Sequence, residues 1–305
     1  RALHFGYNKR GEPLYPAMPY VFFTKVTRED SDAIYAYLRS VKPVKHEVDT
    51  NQLRWPFDMR FAAMTSWQTL YFTPGTYKPD PSKSAEWNRG AYLVEGLGHC
   101  GACHTPRNFM GAVETSERFT GAEIGSWFAP NITPNLRHGI GQYTADELAQ
   151  FFKTGVMTRT ADQFANAVNV YGFSGRQTVE QLPTVVGPMA EVWHNSLSFL
   201  TEDDAKAMAN YLLSQPAATS PLTADEGTVQ PYKLSVGARL FLENCSGCHM
   251  PNGEGGIGAA PPLAGNPMVT APSADNLLSM VLGGQVAQHG DGSMPNFRTE
   301  FTNGE

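Results

Sequence analysis

Apolar residues recur at three- and four-residue spacing in several stretches, and each stretch opens near a Ser or Thr. Thr201 to Leu213 places Ala205, Met208, Ala209 and Leu212 on one face behind a Thr cap and an acidic first turn. Thr27 to Leu38 follows the same design, with Ala33, Ile34, Tyr37 and Leu38 apolar. Glu86 to Leu97, with Ser84 as N-cap, and Leu234 to Asn244 each carry a Gly-Ala pair followed by apolar residues. That pattern suits close helix packing. The pattern predicts a mainly α chain. Between these helices lie a Pro- and aromatic-rich stretch (44–83), read as an ordered strap, a small-residue linker (217–231) and a polar, Gly-containing insert (157–186) with no assigned role. No apolar run approaches the roughly 20 residues of a membrane-spanning helix.

Composition narrows the picture. Of 305 residues, 17% are charged, the net charge is −6 and no basic run stands out. That argues against a nucleic-acid partner. The 29 Gly and 22 Pro fit small domains whose loops wrap a cofactor.

All 4 cysteines fall in two runs, Cys100-Gly-Ala-Cys103-His104 and Cys245-Ser-Gly-Cys248-His249. C-x-x-C-H is the attachment signature of c-type haem. Two thiols reach the vinyl groups on one porphyrin edge, and the next residue brings an imidazole to the iron. A thioredoxin-like pair or a four-cysteine zinc site uses C-x-x-C as well, but neither needs the following His. Two covalent haems are therefore expected. Haem attachment takes place outside the bacterial cytoplasm, yet no apolar segment follows Arg1-Ala2-Leu3-His4. The chain is thus expected to be processed or incomplete at its start. At its other end, Thr302 and Glu305 read as the opening of a further helix.

His104 and His249 are the proximal ligands by motif. A distal Met belongs in a loop stiffened by Pro or Gly, whereas helical Met208 and Met280 suit core packing. Pro16-Ala17-Met18-Pro19, Gly187-Pro188-Met189 and Ser293-Met294-Pro295 fit. Met189 and Met294 each follow an attachment run, so they are the expected distal ligands. Met250 and Met268 are weaker choices, and His194 and His289 are the rivals a bis-His site would use. Arg107, Trp127 and Asn131 are candidates for contact with haem propionates, and Pro261-Pro262-Leu263 for packing on a haem edge. For each of these, plain loop packing is an equal reading.

The segments Leu14-Tyr15-Pro16-Ala17-Met18-Pro19-Tyr20, Ser84 to Gly96, Cys100 to Asn108 and Gly187 to Val192 are similar to one family. The chain resembles, over nearly its whole length, the tri-haem cytochrome c subunit of bacterial membrane-bound dehydrogenases. That group serves quinoprotein alcohol dehydrogenase and flavoprotein gluconate, sorbitol and fructose dehydrogenases. The resemblance implies tandem class I cytochrome c domains with long ordered loops: the end of a first domain (1–43), the strap (44–83), a second domain (84–216), the linker (217–231) and a third domain lacking its closing helix (232–305). It makes Met18 the distal ligand of a third haem whose attachment run would precede Arg1. It further implies a large quinoprotein or flavoprotein dehydrogenase partner, with a small third subunit. Electrons would leave to membrane ubiquinone or a terminal acceptor, with the chain peripherally attached on the periplasmic side of the inner membrane. No substrate chemistry is expected on the chain itself. A di-haem peroxidase-like enzyme and a freely diffusing multihaem carrier are the rival readings.

Overall fold

The computed structural model describes residues 1–47, 52–53, 55, 59–136, 138–159, 180–218, 235–253, 255, 260, 263, 266, 268–269, 271–285 and 293–298. Among them the chain is mainly helical, with two two-stranded antiparallel sheets. It divides into a unit of residues 1–102 with 108–113, and a unit of residues 103–107 with 114–305.

In the first unit, α1 (Ala2–Phe5), α2 (Tyr20–Phe23), α3 (Arg28–Ser40), α4 (Arg60–Tyr71) and α5 (Ala85–Tyr92) follow in order. Thr27 caps α3 by accepting from the Asp30 N–H, and Ser84 caps α5 by accepting from the Trp87 N–H. Both caps are where the sequence puts them. The Tyr92 hydroxyl accepts the Thr27 N–H at 3.1 Å and makes a short bond to the Asp30 carboxylate, which ties the start of α3 to the end of α5.

The strap does not run extended throughout. It contains α4, whose Met64, Trp67 and Gln68 point inward at helical spacing. Tyr20, Met64, Trp67 and Ala112 form a core, with Leu14, Tyr15, Met18 and Phe72 packed against it. The Trp67 indole donates to the Met110 carbonyl at 2.9 Å, and the Gln68 amide donates to the Gly6 carbonyl at 3.1 Å. No residue of α3 is buried among the described residues, and Tyr37 and Leu38 of its expected apolar face are exposed.

In the second unit, a hairpin of β1 (Ala122–Ile124) and β2 (Trp127–Ala129) precedes α7 (Ala145–Thr154), which follows α6 (Gly101–His104). Thr144 and Glu147 form a reciprocal capping box at the start of α7, and Gly155 ends it in the left-handed region at φ 71°. Paired strands β3 (Val156–Arg159) and β4 (Glu180–Thr184) bracket the insert, whose residues 160–179 lie outside the described ones. Next come α8 (Gly187–Asn195) and α9 (Glu202–Leu213). As the pattern predicts, Ala205, Met208, Ala209 and Leu212 are buried, and α9 packs on α7. The chain continues through α10 (Val236–Asn244), capped by Ser235, then α11 (Ser246–His249) and α12 (Asp275–Gly283).

Candidate haem-binding sites

The first attachment run is presented by an irregular helix end. After α5 the backbone widens into a π-helical turn over Leu93–Leu97, closed by the Gly98 N–H donating to the Leu93 carbonyl at 2.7 Å. Gly96 faces Lys25 here, and a Cβ would make ordinary contact with the Lys25 side chain at 3.4 Å. His99 follows in the left-handed region, φ 37°, with its ring edge-on to Phe23 at 5.1 Å. Cys100 then donates its N–H to the Val94 carbonyl at 3.1 Å, and α6 carries the remainder of the run.

His104 is fixed at both ends. Its main-chain carbonyl accepts the Gly121 N–H at 2.9 Å, and its Nδ1 lies 2.7 Å from the Pro130 carbonyl. A carbonyl only accepts, so Nδ1 carries the proton and the Nε2 lone pair is left for a metal. Burial lowers the His104 pKa, partly offset by the Pro130 bond. The neutral imidazole that iron requires is therefore favoured. Thr105, fully buried, accepts the Phe119 N–H at 3.0 Å and holds the next loop against the run.

Met189 is the third residue of α8 and is half-buried. The helix starts at Gly187, φ 55°, where a Cβ would stand 2.7 Å from the Trp127 ring. The run Trp127-Phe128-Ala129-Pro130 thus touches the Met189 segment at one end and His104 at the other. Trp127 walls the start of α8. Asn131 is committed elsewhere: its Oδ1 accepts from the Thr133 N–H and hydroxyl, and its Nδ2 donates to the Ala218 carbonyl at 2.8 Å. Arg107 is exposed three residues beyond His104, and His194 is exposed in the last turn of α8. The role of Pro130 is not legible from the sequence, although it sits between the two residues singled out in that loop.

At the second run, α10 leads into α11 and His249 is buried. Its carbonyl accepts the Gly255 N–H at 2.9 Å. Burial raises the Cys245 thiol pKa, and Cys248 beside it adds to this. Met294 pairs with Gln285 in an isolated antiparallel bridge through two reciprocal bonds of 2.8 Å. Gly284 makes the approach possible, since a Cβ there would meet the Met294 carbonyl at 2.8 Å. Phe297 donates its N–H to the Val281 carbonyl at 2.9 Å and closes the turn onto α12. His289, Pro261, Pro262, Thr302 and Glu305 lie outside the described residues. Met18 lies beside the first unit's core, between Pro16 and the short helix α2.

All four cysteines are free of disulfides, and among the described residues no group of three or more His, Cys, Asp or Glu is placed to hold a bare metal ion. A four-cysteine zinc site therefore has no support. The short attachment helices, the oriented His104 imidazole and the stiffened Met segments fit haem c. Among the described residues, no helix is long and apolar enough to cross a membrane.

Comparison with known proteins agrees with this chemistry. Residues 233–305 match the family described as "Cytochrome C oxidase, cbb3-type, subunit III". The chain is 37% identical to a nicotinate dehydrogenase subunit of Pseudomonas putida, covering 99% of this chain and 24% of that protein. It is 36% identical to the fructose dehydrogenase cytochrome subunit of Gluconobacter japonicus, covering 93% of this chain and 58% of the relative. It is 32% identical to the cytochrome c subunit of alcohol dehydrogenase (quinone) from Gluconobacter oxydans, covering 100% of this chain and 63% of the relative. The chain thus spans less than two thirds of the length of each of these relatives.

Proposed function

We propose, for a chain that belongs with the cytochrome c subunits of membrane-bound bacterial dehydrogenases, that it relays electrons from a catalytic dehydrogenase subunit to a membrane acceptor. The observation that carries this reading is the pair of C-x-x-C-H runs, together with what holds the neighbouring residues in place. One attachment run ends in a fixed histidine, and a methionine is held separately by a stiff local backbone. A haem bound there supplies a one-electron ferric/ferrous couple, which Met ligation shifts to higher potential than two imidazoles give.

The chain's own residues do the rest. Cys100 with Cys103, and Cys245 with Cys248, hold the two porphyrins. His104 and His249 supply the proximal nitrogens. Met189 and Met294 would supply the distal ligands, which would leave neither iron open to peroxide, and this disfavours the peroxidase-like reading. Met18 would be the distal ligand of a further haem. Arg107 and Trp127 are the candidates for contact with the propionates of the first haem.

The donor is a large quinoprotein or flavoprotein subunit that oxidises an alcohol or sugar acid, accompanied by a small third subunit. The acceptor is ubiquinone or a terminal acceptor at the periplasmic face of the inner membrane. Anaerobic haem reduction in membranes tests this, with alcohols, gluconate, sorbitol, fructose and nicotinate added singly. Rapid reduction by one class supports the relay and identifies the partner. Reduction by dithionite alone would favour a freely diffusing carrier, and peroxide-dependent turnover would favour the peroxidase-like enzyme.

A further inference from the structure

The run from Trp127 to Pro130 serves the first site through its two ends, yet its middle residue is held from far along the chain. Phe128 pairs with Glu123 across the hairpin. Its N–H donates to Asn276 Oδ1 at 2.7 Å, and its carbonyl accepts from Asn276 Nδ2 at 2.8 Å. One carboxamide thus satisfies both main-chain groups of one residue, as a neighbouring strand would on the open edge of a sheet. Asn276 is 2% exposed and Phe128 is 4% exposed, so water does not compete for these bonds. Ser279, one helical turn on, donates its hydroxyl to the Ser126 carbonyl at 2.8 Å. Both residues lie on α12, whose far end carries the Gly284–Gln285 platform that grips Met294.

A continuous chain of hydrogen bonds and helix therefore joins the Met294 segment to the first site. It runs from Met294 through the Gln285 bridge and α12 to Asn276, then into β2, and from β2 to the Pro130 carbonyl on His104 and the Trp127 ring under Gly187. We propose that Asn276 is a positioning residue that couples the His104/Met189 site to the Met294 platform. Through it, the third-haem segment holds the hydrogen-bond acceptor that tunes the second haem. This rests on the two-haem reading above.

The test is spectroelectrochemical titration of the full chain with both haems attached, comparing wild type, Asn276→Ala, Asn276→Asp and Ser279→Ala. Met294→His marks the other haem's wave, because a second imidazole lowers its potential. The expected result is that Asn276→Ala changes the ferrous-to-ferric ratio of the His104 haem by three- to tenfold at fixed potential, up to about 59 mV for one electron. Ser279→Ala, at the exposed rim of the contact, leaves it unchanged. Should Asn276→Ala give no holoprotein, Asn276→Asp is read in its place: it keeps the acceptor for the Phe128 N–H but replaces the donor with a carboxylate oxygen, whose negative charge then faces the Phe128 carbonyl. An unchanged His104-haem potential and ferric electron paramagnetic resonance signal in whichever of the two variants yields holoprotein would overturn the proposal. A wild-type spectrum without Met-ligated haem would instead overturn the underlying reading, whatever the variants do.

Discussion

At the first attachment run the histidine is the visibly anchored partner. Its ring is bonded to Pro130, its carbonyl to Gly121, and a buried threonine pins the loop that follows. At the second run the anchoring is most explicit on the methionine side, where Met294 shares two main-chain bonds with Gln285 and sits against a glycine that admits no side chain. Met189, by contrast, rides at the start of a regular helix whose position depends on Gly187 meeting Trp127. On the reading proposed above, the same five-residue motif is completed by two different constructions. The motif dictates covalent attachment and the proximal nitrogen, and leaves the distal half to be built by whatever loop or helix reaches it.

Several substitutions break or sharpen this contrast. Replacing both Cys100 and Cys103 by Ala should reduce covalent haem from two to one per chain, and the Cys245/Cys248 pair should do the same, as read by intact mass. Met189→His and Met294→His should each lower one midpoint potential by more than a decade in the ferrous-to-ferric ratio, where a decade is about 59 mV. Redox titration then shows which wave belongs to which site.

Gly187→Ala and Gly284→Ala probe the two distal constructions directly. Each forces a side chain into positive φ against a close neighbour, at a cost of about 1–3 kcal/mol in thermal unfolding. Gly187→Ala should weaken the Met189 ligation spectrum, and Gly284→Ala that of Met294. Thr144→Ala removes the α7 capping box and should cost about 1 kcal/mol without moving either potential.

The smallest effect concerns pH. Burial lowers the His99 pKa below its ordinary 6.5. In that window the unfolded chain binds more protons than the folded one, so stability is full above pH 6.5 and declines as pH falls below it. His99→Asn should flatten that acid-side slope in denaturant titrations relative to the parent.

The legible parts are those written in local code. The two C-x-x-C-H runs, the caps at Thr27, Ser84 and Thr201, and the buried stripe of α9 depend on residues within a turn or two of each other. The helix over Arg60–Tyr71 is hidden because it begins at Met59 without a capping side chain and lies among Pro and aromatic clusters. Helix α7 has a local signal, Thr144 with Glu147 and then Gly155, but it flanks neither attachment run and so stands outside the haem-centred pattern. The bond from Pro130 to His104 spans 26 residues and that from Asn276 to Phe128 spans 148. A lone proline or asparagine carries no mark of such a partner, because the contact is created by the packing of elements and not by spacing along the chain.

The widened turn at Leu93–Leu97 has a geometric consequence for cofactor attachment. Each residue of a regular helix advances the chain by about 100° around its axis, and a π turn absorbs one residue more than an α turn before closing. Everything downstream is therefore set at an angular offset that a straight continuation of α5 would not give. Forcing all five residues of this segment into regular α winding, with none deleted, would swing Cys100 by about a quarter turn, aiming its sulfur at a different quadrant while leaving the motif's letters intact. The irregular turn acts as a fixed phase shift between the winding of the entry helix and the attachment run that follows it.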